Sequence, residues 1–235
     1  MGPGAYSGPA DGRVSTRPLT AVVTAYRRHR FAWLFASLLL TLGAGSTLEA
    51  LDSRYNPLQL LLAFNLLAAI ASVAQEGKIP LPLFLGVVFV AARVLRAALA
   101  IPGLLPVSEG LWLVAVVLAT VATARHALSR GVVDPERILA ALDAYLLAGL
   151  LFGVAYWQLD GMWPGSFRGT AGGNLDLPGA IYFSFVTIAT LGYGDVIPVS
   201  EPARGLAIVE GVSGQMYLVV LVARLVSLHS QQRDA

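Results

Sequence analysis

The apolar residues of this chain come in long blocks separated by short polar stretches, and the lengths of those blocks decide the architecture. Crossing about 30 Å of hydrocarbon at 1.5 Å per residue takes about 20 residues. Six blocks qualify as spans: Phe31–Leu51, Pro57–Ala74, Ile79–Ile101, Leu111–Leu128, Ile138–Leu159 and Ala203–Leu228. A seventh, Leu177–Ala189, is too short to cross. Short helix followed by glycine-rich backbone is tolerated at membrane depth only where protein or a water-filled path surrounds it, so this stretch reads as a re-entrant loop. The expected fold is an all-α integral membrane protein with six transmembrane helices plus a re-entrant helix. Residues 1–30 form a cytoplasmic tail, residues 31–130 a four-helix peripheral domain, and residues 131–235 a two-span domain carrying the re-entrant loop. The first apolar run begins only at Phe31 and is long, which reads as a retained span and not as a cleaved signal.

Composition agrees with a bilayer setting. Of the 235 residues, 56% are hydrophobic and only 13% charged, and the mean hydropathy is +0.69. A soluble domain carries about 25% charged residues, so there are too few charges here to cover a globule in water. Net charge is only +2, which gives no argument for a nucleic-acid partner. There is no cysteine, which excludes disulfides and thiolate metal sites. His29, His126 and His229 are scattered near arginines at the ends of apolar runs and read as interfacial residues, with no metal or cofactor expected.

The arginines orient the chain. With a cytoplasmic N-terminus, inside segments hold Arg13, Arg17, Arg27, Arg28, Arg30, Lys78, Arg125, Arg130, Arg137, Arg224 and Arg233. The outside segments hold only Arg54, Arg168 and Arg204. The positive-inside rule then puts both termini in the cytoplasm, in a multi-pass protein of the cell membrane. The short stretch after Leu228 leaves no expectation of a cytoplasmic ligand-binding domain.

The candidate chemistry follows the re-entrant stretch, in Thr190-Leu191-Gly192-Tyr193-Gly194-Asp195. Passing a dehydrated cation requires oxygens that replace its hydration shell at little cost. Gly192 and Gly194 permit the left-handed backbone that turns successive carbonyls toward one axis. Thr190 adds a hydroxyl at the inner end. Tyr193 and Asp195 point away, where they brace the strand against its neighbours.

These residues resemble the filter of the tetrameric potassium channels, with Leu191 where valine is commonest. The resemblance covers the re-entrant helix from Pro178 to Ala189, Pro198 beyond the filter, and the last span. It implies a homotetramer around one pore, with potassium bound by Thr190, Leu191, Gly192 and Tyr193, Gly194 completing the filter. Asp195, Tyr182, Thr187 and Glu210 are its implied supports. Gly214 falls where the family often has a hinge glycine in its inner helix. Gln215, Leu218, Val222 and Val226 share one helix face, which by resemblance lines the inner cavity. Two positions depart from the family: Ala189 stands where a threonine is common, and Val186 where some bacterial members carry glutamate.

Other polar positions have structural readings. Glu210 sits about one turn before Gly214, and an ionisable residue at that depth points either to helix packing or to a titrating modulator. Asp143 reads as snorkelling or bonded to a neighbouring span. Gly149 and Gly153 would let another helix approach closely. The fourth span lacks the arginine array of voltage sensors. Arg93 and Arg96 in the third span could supply about 18 kcal/mol per 100 mV over four subunits, at about 2.3 kcal/mol per charge. They lie near the outer surface beside Glu49 and Asp52, so a static ion pair explains them better than voltage sensing.

The expected function is passive potassium-selective conduction, with only weak voltage gating. A weakly selective cation channel and a subunit of a potassium transporter are the alternatives. An enzyme lacks support, since there is no nucleophile–base pair, metal-ligand cluster or phosphate-binding loop.

Overall fold

A computed structural model describes residues 29–51, 57–73, 105–129, 134–169 and 173–233. Its helices are α1 (Arg30–Leu51), α2 (Pro57–Val73), α3 (Leu105–Ala127), α4 (Pro135–Met162), α5 (Leu177–Ile188) and α6 (Glu201–Arg233). Two-residue strands β1 (Phe167–Arg168) and β2 (Ile197–Pro198) pair antiparallel, Phe167 opposite Pro198 and Arg168 opposite Ile197.

Local signals start the helices of the pore region. Asp134 caps α4, its Oδ1 accepting the Arg137 N–H at 2.8 Å, with Pro135 in the first turn. Asp176 caps α5 in the same way, accepting from the Gly179 N–H at 2.9 Å, with Pro178 behind it. At 28 and 33 residues, α4 and α6 reach about 42 and 50 Å at 1.5 Å per residue, longer than the hydrocarbon is thick. Among the described residues these two are long and apolar enough to cross a membrane. The helices α1 to α3 hold shorter apolar stretches. The predicted span Ile79–Ile101, with Arg93 and Arg96, lies outside the described residues, as do the tail, Asp52 and the Glu49 side chain.

The core is apolar, and much of the outer surface is apolar as well. Helix α6 buries Glu210 completely and leaves Ile208, Val212, Met216, Val219, Val222 and Val226 exposed. Trp33 and Leu40 on α1, Leu60 and Phe64 on α2 and Val114 on α3 are also exposed. The outward apolar faces of α1 to α3 suit hydrocarbon, where a water-facing helix would present polar groups. The protein is a helical membrane protein.

Among the described residues, buried polar side chains other than Asp143 are paired. Between α1 and α2 the buried Asn65 accepts from Ser37 and donates to Thr41, both at 2.6 Å. Just past the C-terminal end of α3, the Arg224 guanidinium of α6 donates to the carbonyls of Leu128 and Ser129, a cation beside a helix C-terminus. The C-terminal part of α6 is thereby fastened to the turn that follows α3. Asp143 does neither of the things expected of it: it is fully buried, and among the described residues neither of its carboxyl oxygens has a hydrogen-bond partner.

Candidate functional site

Helix α5 ends at Ile188 against α4 and α6, and the chain turns back from it as Ala189–Asp195. Close approach to α4 depends on two glycines. A Cβ at Gly149 would lie 2.6 Å from the Phe185 ring, and one at Gly153 would lie 2.8 Å from Ile181 Cα. The helix that the Gly149/Gly153 pair admits is therefore α5.

The turn-back is built from alternating backbone hands. Thr190 (φ 59°), Gly192 (57°) and Gly194 (78°) are left-handed, and Leu191 and Tyr193 between them are not. Alternation of this kind gathers N–H groups on one side and sends carbonyls to the other. The N–H groups of Leu191 and Gly192 both reach the Val186 carbonyl, at 2.9 and 3.2 Å, and that of Thr190 reaches the Thr187 carbonyl at 3.0 Å. The N–H groups of Thr190, Leu191 and Gly192 are thus occupied by the end of α5. Leu191 and Tyr193 carry exposed side chains.

Both ends of the segment are held. At its N-terminal end, the Ile188 carbonyl accepts from the Tyr145 hydroxyl of α4 at 3.2 Å and from Gln215 Nε2 of α6 at 3.4 Å. At its C-terminal end, Asp195 accepts from the Tyr182 hydroxyl at 2.6 Å, and its other oxygen accepts the Val196 N–H at 3.0 Å. The Tyr182 bond holds the Asp195 carboxyl below its usual range. Strand β2 then pairs with β1 on the loop leaving α4. Gly169 (φ 95°) makes that fit, since a Cβ there would lie 1.8 Å from the Asp195 carbonyl oxygen.

Of the other expected supports, Thr187 turns its hydroxyl to the Phe183 carbonyl of its own helix, at 2.8 Å. Glu210 is further back, bonded to Tyr156 of α4 at 2.6 Å and to Ser184 of α5 at 2.5 Å. Helix α6 runs unbroken through Gly214, which is buried so tightly that a Cβ would approach Ile188 Cγ1 to 2.5 Å. Gln215, Val222 and Val226 are exposed and Leu218 is half-buried, whereas Tyr217 and Leu221 pack against the chain itself. Tyr145, Tyr156, Ser184, Ile188 and Gly169 were not singled out from the sequence. Only the glycine had a local signal there, and the others act through contacts between distant helices.

Comparison with known proteins bears on the same region. Residues 142–231 match the family model described as an ion channel. Over 83 residues the chain is 34% identical to two pore potassium channel c of Oryza sativa subsp. japonica, covering 35% of this chain and 18% of that protein. Over 90 residues it is 38% identical to two-pore potassium channel 4 of Arabidopsis thaliana, covering 38% of this chain and 30% of that protein. The chain therefore spans less than a third of the length of these curated relatives. The matched region is therefore similar to ion-channel proteins, two potassium channels among them.

Proposed function

We propose that the chain is one quarter of a potassium-selective channel, a homotetramer in which four Thr190–Gly194 segments surround a single axis. Potassium passes through it passively, coordinated by the carbonyls of Thr190, Leu191, Gly192 and Tyr193, with no cofactor. The observation that carries this reading is the alternation of hand at Thr190, Gly192 and Gly194 combined with the tie of the Leu191 and Gly192 N–H groups to Val186. A strand whose donors are turned to its own helix offers oxygens on the opposite side, as a dehydrated cation requires.

In this reading α1, α2, α3 and the stretch around residues 79–101 complete six spans with both termini cytoplasmic, in keeping with the distribution of arginines. Gln215, Leu218, Val222 and Val226 line the cavity below the filter, Gly214 acts as the hinge, and voltage has little influence. Tyr182 with Asp195, Thr187 and Glu210 support the filter from behind. Vesicles containing the purified chain test the proposal: they should pass potassium far faster than sodium, and equal rates for the two ions would overturn it.

A further inference from the structure

Glu210, Tyr156 and Ser184 meet where α6, α4 and α5 cross, and the number of protons available there is informative. Ser184 Oγ lies 2.6 Å from the Gly149 carbonyl oxygen and 2.5 Å from Glu210 Oε1. A serine hydroxyl carries one hydrogen, a carbonyl oxygen carries none, and an ionised carboxylate only accepts. With Glu210 ionised, one of these two short contacts would hold two acceptors with no hydrogen between them. A proton on Glu210 Oε1 removes the conflict. Glu210 then donates to Ser184, Ser184 donates to Gly149, and Tyr156 donates to Glu210 Oε2 at 2.6 Å.

The surroundings favour the neutral form on independent grounds. Glu210 and Ser184 are fully buried, as is Tyr156, whose ring packs edge-on against Phe167 and Phe183 at 5.5 and 4.9 Å. A carboxylate in such an apolar enclosure needs a cation, and among the described residues none faces it. The titratable groups turned toward it are Tyr156 and Tyr145, both on α4, while α5 presents Ser184 and α6 itself adds no charge.

We propose that Glu210 is a proton-bearing carboxylic acid whose donation to Ser184 locks the pore helix to both flanking spans, and that loss of this proton to water loosens the lock and lowers conduction. The functional half rests on the channel reading above; the protonation half does not. Glu210 is on this view a positioning residue for the filter.

Infrared spectra of the full chain in lipid vesicles at neutral pH decide the protonation half, because only a protonated carboxyl shows an acid carbonyl stretch. An acid band should be present, lost in Glu210→Gln and retained in Asp143→Asn. A Glu210→Gln spectrum that keeps every acid band and loses carboxylate absorption instead would overturn the proposal. Ser184→Ala decides the matter should Glu210→Gln fail to fold: the band should move to higher frequency as its acceptor is lost, and an unmoved band overturns the assignment. For the functional half, potassium flux from wild-type vesicles should fall as pH is raised while flux through Glu210→Gln stays level. A parallel fall in both would refute the lock, whereas absence of potassium flux in every variant would count against the channel reading and leave the infrared result standing.

Discussion

The Tyr182 hydroxyl donates to Asp195 Oδ2 at 2.6 Å, closing a loop that contains all of Thr190–Gly194. One hydrogen bond thereby connects the middle of α5 to the C-terminal end of the Thr190–Gly194 segment, and it depresses the Asp195 pKa. The contribution of a carboxylate stabilised in this way is complete above the ordinary carboxylate range and is lost as pH falls through its lowered folded-state value. Tyr182→Phe should therefore lose potassium selectivity under mild external acidity that the wild type withstands, and the two should converge in strong acid. Selectivity measured against external pH checks this, and superimposed curves would show that the bond does not hold the filter mouth.

The two glycines under the pore helix differ in what they face. A methyl at Gly153 meets the backbone of Ile181, which cannot turn aside, whereas one at Gly149 meets the movable ring of Phe185. Overpacking costs about 1–3 kcal/mol, and the helix propensity of alanine returns about 1 kcal/mol of that. Gly153→Ala should accordingly destabilise the folded protein more than Gly149→Ala. Denaturation in detergent would show the ranking, and a reversed order would mean that α5 sits elsewhere on α4.

The motif was legible because its requirement falls on the backbone, where glycine at 192 and 194 is a direct signature of positive φ. The helix starts carry local signals too, in Asp134-Pro135 and in Asp176 with Pro178, but the apolar blocks alone set the first of these bounds three residues late, at Ile138. Thr190 was not. A β-branched residue resists the left-handed region, and what keeps it there is the end of α5, through the Thr187 carbonyl. The Glu210 cluster joins residues 26 and 54 positions apart, and no periodicity encodes such meetings. Gly149 and Gly153 announced a close approach without saying which helix would make it. The two-residue strands are too short to leave a pattern, and Gly169 marks them only in retrospect.

Gly214 has two separable roles. Alanine there would press on Ile188 Cγ1, at 2.5 Å, and push α6 away from the base of the pore helix. Trimming the obstacle with Ile188→Ala should restore part of the stability lost in Gly214→Ala, a coupling expected of residues in contact. Hinge bending is not restored by that change. If channel opening remains altered in the double variant while stability recovers, the glycine serves motion as well as packing; full recovery of both would reduce it to a packing residue.

Single cysteines in this naturally cysteine-free chain map the cavity. Thiol reagents applied from the cytoplasmic side should block current at positions 218, 222 and 226, below Gln215. Block at Val219, Val220 and Ala223 instead would place the conduction path along a different face of α6.

The central claim is that backbone oxygens of Thr190–Tyr193 select potassium, held in place by left-handed glycines. Its most direct measurement is the ratio of potassium to sodium permeability in vesicles for the wild type, Gly192→Ala and Gly194→Ala. Alanine at either position costs about 1 kcal/mol or more in that region of φ. A folded, tetrameric variant of either kind should lose the preference for potassium that the wild type displays. An unchanged ratio in both variants would contradict the account.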